Sequence, residues 1–183
     1  MVTTYLALLR GINVGGKNRI LMADLRERFE SAGYRDVRTY IQSGNVVFRS
    51  EVADRTQLTQ AIEAMLAAAF DYRATVAIRD LDEIGAVLEG APAGFGAEPD
   101  TYRYDVLYLL PPLQPDEALS ALTLKDEVDA AWTGPGVVYA SRLIERASQS
   151  GLSRLASHPA YQRMTIRNWN TTRKLHSMMG PGS

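Results

Sequence analysis

The sequence predicts an α+β fold of two tandem βαββαβ repeats, the ferredoxin-like arrangement, followed by a C-terminal helix. Three observations point there. Apolar or β-branched runs and amphipathic stretches follow the order strand, helix, strand, strand, helix, strand over residues 1–79. A similar order restarts near residue 101. Two hairpins, "TYIQSGNVVF" and "AAWTGPGVVYA", read as one pattern written twice: an aromatic-bearing strand, a glycine turn, then Val-Val-aromatic. The expected division is 1–79 for the first repeat, 80–100 for a connecting helix and loop, and 101–183 for the second repeat with its closing helix.

The elements justify themselves in turn. "TYLALLRG" (3–10) is short and apolar, a buried strand. In "MADLRERFESAG", Met22, Leu25, Phe29 and Ala32 form one helical stripe, and Gly33 suits a left-handed stop. "VRTYIQSGNVVFRS" holds two β-rich runs around Ser43-Gly44-Asn45, a hairpin signal because such turns need positive φ. "RTQLTQAIEAMLAAAF" (55–70) carries Leu58, Ile62, Met65, Leu66 and Ala69 at helical spacing, and "YRATVAIR" (72–79) alternates as a strand. Asp80 is placed to cap a helix that Gly90 ends. The Pro- and Gly-bearing stretch 91–100 is a loop.

In the second half, 102–110 reads as a strand and 115–124 as a helix opened by proline. A hairpin spans 128–141 around Gly134-Pro135-Gly136. Residues 151–158 form a weak helix, 164–167 a short strand, and 168–179 the closing helix with Asn168 as its N-cap. Trp169, Thr172 and Leu175 share a face of that helix, which assigns Trp169 to the core.

Composition narrows the chemistry. With 46% hydrophobic and 22% charged residues the chain can bury a core, and without cysteine it has no disulfide, thiol nucleophile or thiolate metal site. No apolar run reaches the roughly 20 residues of a membrane-crossing helix, and the first residues lack a signal-peptide pattern. A cytoplasmic protein without membrane partners is the expectation. The net charge of -1 hides a segregation: residues 1–50 carry +4, residues 51–140 carry -11, and residues 141–183 carry +6. Basic ends that met in space would attract an anionic ligand; an acidic middle that merely neutralises them would not.

"LLRGINVGGKN" (8–18) falls one residue short of a phosphate-binding P-loop. Gly11, Gly16 and Lys17 fit Gly-x-x-x-x-Gly-Lys, but Asn18 stands where Ser or Thr would bind Mg²⁺. The apolar helical stripe starts only near Met22, and the helix leads into a hairpin where a P-loop protein has a parallel crossover. A Walker motif is rejected on those grounds. Two readings of the loop stand. Arg10, Asn13, Gly15, Gly16, Lys17 and Asn18 supply backbone N–H groups, amides and positive charge for a phosphate, carboxylate or nucleic-acid backbone. Alternatively the glycines only shape a long connection. "TIRNWNTTRKL" (165–175) is the second polar and basic cluster, and it too has two readings: Arg167, Asn168, Asn170, Arg173 and Lys174 join the first cluster in one site, or the asparagines only cap the helix and satisfy local backbone.

These stretches also carry a resemblance. "YLALLRGINVGGKNRILMADLRERFESAGYRDVRTYIQSGNVVF" and, much later, "MTIRNWNTTRKL" resemble the bacterial domain-of-unknown-function family 1697. The resemblance spans nearly the whole chain, more loosely over 80–160, and its most recognisable blocks are Arg10–Asn18, Gln42–Val46 and Arg167–Asn170. It implies a bacterial cytosolic α+β protein with no assigned activity and says nothing of what these blocks bind; Gln42 and Asn45, which lie in the second block, complete the candidate ligand-binding residues. "LIERASQSGLSRLASHPAYQ" departs from the family's pattern.

No catalytic residue or metal site is assigned. His158 and His176 have no partner at ligand spacing, no Gly-x-Ser-x-Gly elbow occurs, and Glu127 and Asp129 read as solvated acids on one strand face. The functional expectation is a small anionic or phosphate-bearing ligand at the glycine-rich loop, with its cofactor and oligomeric state unknown. The alternatives are an enzyme on a phosphorylated or carboxylated metabolite, and a nucleic-acid binder. The latter would stack bases on Tyr5, Tyr40, Phe48, Trp132 and Tyr139, although the usual RNA-recognition run is missing and the pI is about 6.1.

Overall fold

A computed structural model describes residues 2–13, 19–70 and 73–180. It is a mixed α+β structure with two four-stranded antiparallel sheets and a C-terminal helix. The chain divides into two compact units, Met1–Asp82 with Leu175–Ser183, and Glu83–Lys174.

The first unit runs β1 (Thr3–Leu9), α1 (Met22–Ser31), β2 (Arg35–Tyr40), β3 (Asn45–Ser50), α2 (Arg55–Ala69) and β4 (Val76–Asp80). Its sheet order is β2-β3-β1-β4, so β1 lies between β3 and β4, with Tyr5 opposite Phe48 on one side and Asp80 on the other. Tyr5, Ala7 and Leu9 of β1 share a core with Val46 and Phe48 of β3 and Val76 and Ile78 of β4. Leu25 and Phe29 of α1 and Leu58, Ile62 and Leu66 of α2 close over it. Each such fully buried side chain stabilises the fold by about 1.5–3 kcal/mol.

Local chemistry fixes the helices against that sheet. Gly33, at φ 89, ends α1 as expected. Asp54 caps α2 by accepting from the Gln57 N–H at 3.0 Å. The Arg55 guanidinium donates to the Asp80 carboxylate at 2.9 Å and to the Ile78 carbonyl at 3.0 Å, tying the start of α2 to β4. Asp80, whose carboxylate accepts from Arg55, immediately precedes α3 (Leu81–Glu89).

The second unit continues with β5 (Tyr102–Leu109), α4 (Pro115–Ser120), β6 (Asp129–Gly134), β7 (Val137–Leu143) and β8 (Met164–Asn168), which leads into α5 (Trp169–Met179). Its order, β6-β7-β5-β8, repeats that of the first sheet strand for strand. One face packs Leu107, Leu109, Val138, Ala140 and Met164 against Leu113, Ala118 and Leu155. On Tyr104 and Tyr139 sits an aromatic cluster centred on Phe95, whose ring lies 4.9 Å from Tyr104, 5.3 Å from Tyr139 and 5.2 Å from Trp169. The buried Tyr139 hydroxyl donates to the Val87 carbonyl at 2.6 Å, and burial pushes its pKa up to about 12.

Three expectations need correction. The helix read over 115–124 stops at Ser120: the Ala121 N–H is shared between the Glu117 and Ala118 carbonyls, a tightening that closes the helix. Between β7 and β8 there is no α-helix; the chain makes 3₁₀ turns over Ala147–Gln149, Gly151–Ser157 and Pro159–Arg163. Serines explain the difference. Ser150 accepts from the Leu152 N–H, while Ser153 and Ser157 donate to the carbonyls of Ser150 and Arg154, local bonds that compete with helix hydrogen bonding. Finally, Glu127 and Asp129 are not two solvated acids on one strand. Glu127 precedes β6 at φ 62, and the half-buried Asp129 carboxylate accepts from Ser150 Oγ at 2.6 Å, the Gly151 N–H at 2.8 Å and the Lys125 N–H at 2.9 Å.

Candidate functional site

The loop after β1 is built on a closed neck. The Arg10 N–H donates to the Thr75 carbonyl at 2.9 Å, Gly11 turns the chain at φ 74, and Ile12 enters the core. Asn13, left-handed at φ 53, spans the loop with its carboxamide. Its Oδ1 accepts from the Ile20 N–H at 2.9 Å, and its Nδ2 donates to the Ile20 carbonyl at 3.0 Å and the Gln42 carbonyl at 2.8 Å. Ile20 is a core residue too. Gly15, Gly16, Lys17 and Asn18, the centre of the expected site, lie outside the described residues.

The "QSGN" turn between β2 and β3 interlocks with this neck. The Leu9 N–H donates to the Gly44 carbonyl at 2.8 Å. Gly44 sits at φ 76, where an added Cβ would stand 2.6 Å from Ile12 Cδ1, so glycine is required there for both conformation and space. Asn45 is buried, and its Nδ2 donates to the Tyr40 carbonyl at 2.8 Å and to Ser43 Oγ at 3.0 Å. Ile41, a β-branched residue, is held at φ 47 while 48% exposed. Leu21, next to Ile20, is 62% exposed.

The geometry changes how several candidates act. Asn13 was expected to offer an amide donor to a ligand, and its amide N–H groups hold backbone instead; Asn45, also a candidate ligand-binding residue, spends its own on the Tyr40 carbonyl and Ser43 Oγ. Gln42 contributes its carbonyl to the neck and leaves its side chain exposed. Arg10 is half-buried. These residues belong to the first unit, whereas Arg167, Asn168, Asn170 and Lys174 belong to the second. Arg167 is buried, donating to Thr165 Oγ1 at 2.9 Å and the Ile166 carbonyl at 2.8 Å. Asn168 caps α5 as predicted, accepting from the Asn170 N–H at 2.9 Å, and its Nδ2 donates to the Tyr104 carbonyl at 3.1 Å. Trp169 is in the core, as read; Asn170 and Lys174 are exposed.

Asn168 and Asn170 line a cavity of about 380 Å³ in the second unit together with Arg103 and Arg142, two residues that sequence reasoning missed. Arg103 and Arg142 are cross-strand partners on β5 and β7. The Arg103 Nε donates to Asp105 Oδ2 at 2.7 Å, and that hydrogen bond raises the guanidinium pKa, with the carboxylate's charge adding to it and desolvation opposing. The signal was available in the alternation of "YRYDVLY" and "VVYASRL", but only once the register between them was known. Of the rings proposed for base stacking, Tyr5, Phe48 and Tyr139 are buried, Tyr40 is half-buried and Trp132 is exposed. Among the described residues no three histidines or carboxylates cluster as a metal site would require, and no helix is long and apolar enough to cross a membrane.

A chain with these two four-stranded antiparallel sheets falls in a class of mixed α+β proteins defined by fold, with no activity attached. It belongs to the family described as Protein of unknown function (DUF1697), whose profile matches residues 2–139. The solved structure of the conserved bacterial protein SP0830 from Streptococcus pneumoniae is 31% identical, with a TM-score of 0.85 over 98% of this chain and 100% of that one. The structure of TA0507, named as a suspected chlorite dismutase, aligns over 98% of this chain and 99% of that one at 14% identity. Its TM-score of 0.25 is too low to carry an argument. The curated proteins contain no match to this chain.

Proposed function

We propose that this chain is a cytoplasmic protein that binds a small anionic or phosphate-bearing ligand on the loop between β1 and α1, and that each sheet is a ferredoxin-like unit. What carries the reading is the carboxamide of Asn13. It closes the loop at its neck from a left-handed backbone, between two core isoleucines. A plain connection has no need of such bracing; a loop that presents backbone N–H groups and Lys17 to an anion gains affinity from being held ready. The strained Ile41 beside the neck supports the same reading, since strain of this kind gathers at ligand sites. The equal strand orders support the repeat, with the 3₁₀ segment of the second unit standing where the first has α2.

The test is a thermal-shift screen of nucleotides, sugar phosphates and carboxylates on wild type and Lys17→Ala. A ligand at 100-fold excess over its Kd stabilises the wild type by about 2.7 kcal/mol, and the variant should lose most of that gain. No ligand-dependent rise in Tm, or the same rise in Lys17→Ala, removes the reading.

A further inference from the structure

Leu21 and Ile41 are the two most exposed large apolar side chains among the described residues. Each also breaks a local rule. Leu21 is the N-cap of α1 and makes no side-chain capping bond, where Ser, Thr, Asp or Asn would satisfy a backbone N–H. Ile41 is a β-branched residue at φ 47. One side chain brings the two to the same place. Asn13 Nδ2 donates at 3.0 Å to the carbonyl of Ile20, the residue before Leu21, and at 2.8 Å to that of Gln42, the residue after Ile41. Single exposed apolar residues are ordinary on a protein surface. Two that cost the fold stability and flank one amide call for a use, because local rules are broken where function requires it.

Charge at this end of the first sheet is one-sided. Leu8 pairs with Asn45 and Leu9 with Val76, so the segments after β1, between β2 and β3, and before β4 gather there. In sequence, residues 10–21, 40–44 and 70–75 hold Arg10, Lys17, Arg19 and Arg73 against Asp71, and Asp24 follows in the first turn of α1. Arg19 and Arg73 are exposed. An aliphatic pair among cations matches a ligand that is anionic at one end and apolar along the rest. We propose that the ligand of this end is a single-chain amphiphile. Its phosphate or carboxylate head meets the cations of the β1–α1 loop, and its aliphatic tail lies on Leu21 and Ile41. The inference rests on the reading of that loop as an anion site and names the class of anion. Two side chains offer too little apolar area to hold a protein on a bilayer, so the occupant is one soluble chain and not a membrane.

The experiment is isothermal titration calorimetry with butyl, hexyl and octyl phosphate and with the carboxylates of the same chain lengths, each below its micelle concentration. Inorganic phosphate and hexanol are the controls. In at least one series affinity should rise about two- to fourfold per added methylene, and the heat capacity of binding should grow more negative with chain length. The series that responds identifies the head. Leu21→Ser supplies a preferred N-cap and Ile41→Asn suits the left-handed backbone, so both should keep or raise Tm while flattening the dependence on chain length. Lys17→Ala should instead weaken all chain lengths by a similar factor. A chain-length dependence as steep in both apolar variants as in wild type overturns the proposal. So does equal affinity from butyl to octyl, which leaves anion binding at the loop intact. Hexanol binding as tightly as hexyl phosphate overturns it, as does binding to phosphatidylglycerol vesicles without binding to the soluble amphiphiles. No affinity for any of these compounds removes the reading of the loop as well.

Discussion

Asn13 and Ile20 are joined twice, the backbone N–H and carbonyl of Ile20 both bonding the Asn13 carboxamide, at 2.9 and 3.0 Å. One side chain thereby replaces a rung of sheet at the mouth of a loop, and the same amide reaches across to Gln42. Asn13→Ala loses all three bonds and leaves a Cβ-bearing residue at φ 53; a cost of about 2–4 kcal/mol in urea unfolding is expected. Asn13→Gly loses the same bonds without the conformational penalty and should be milder by about 1 kcal/mol. Equal losses in the two variants would mean that the left-handed backbone is not under strain.

A similar clasp holds the second unit. Asp129 gathers Ser150, Gly151 and Lys125, so its carboxylate anchors the 3₁₀ segment to the start of β6. Asp129→Ala leaves two backbone N–H groups and one hydroxyl to find other partners and should cost about 2–4 kcal/mol. Limited proteolysis offers a sharper readout: new cleavage should concentrate within residues 144–163. Cleavage spread evenly over the chain would argue against a local clasp.

Most of the framework was legible in the sequence because its signals are local. Leu25 and Phe29 one helical turn apart, Gly33 at the helix end, and the glycine turns of both hairpins each act over a few residues. Reading failed where side chains rewrite the backbone or distant positions meet. Ser150, Ser153 and Ser157 turn a weak helix into 3₁₀ turns through bonds that apolar spacing does not register. Asp129 looks like any exposed acid until Ser150 is folded beside it. Asn13 and Asn45 were read as candidate ligand-binding residues, and the chemistry they perform among the described residues is the support of a loop. Arg103 and Arg142 are 39 positions apart, and only strand register makes them neighbours.

Stability should fall at alkaline pH through Tyr139. Burial raises its pKa from 10.0 to about 12, so the folded state favours the neutral phenol. That stabilisation is fully present below about pH 10, where the hydroxyl is neutral in both states, and is lost as pH rises through about 12. Tyr139→Phe should flatten this decline. It should also cost about 1–2 kcal/mol at neutral pH, because the Val87 carbonyl loses its donor. Urea midpoints at pH 8, 10 and 11 measure both effects, and an alkaline decline unchanged in the variant would assign the titration to another group.

Ile41 offers the opposite kind of test, a substitution expected to stabilise. A β-branched side chain at φ 47 is a conformational outlier, and 48% exposure means that Ile41 buries too little to offset the cost. Asparagine tolerates the left-handed region, so Ile41→Asn should raise stability by about 1 kcal/mol. Its effect on ligand response is the informative part. If the strained, exposed isoleucine beside the Asn13 neck serves binding, the more stable variant should show a smaller ligand-induced Tm shift than wild type in the screen proposed for the loop. A variant that gains stability and keeps the full shift would make Ile41 a relic of turn geometry, and would confine the binding surface to the loop itself.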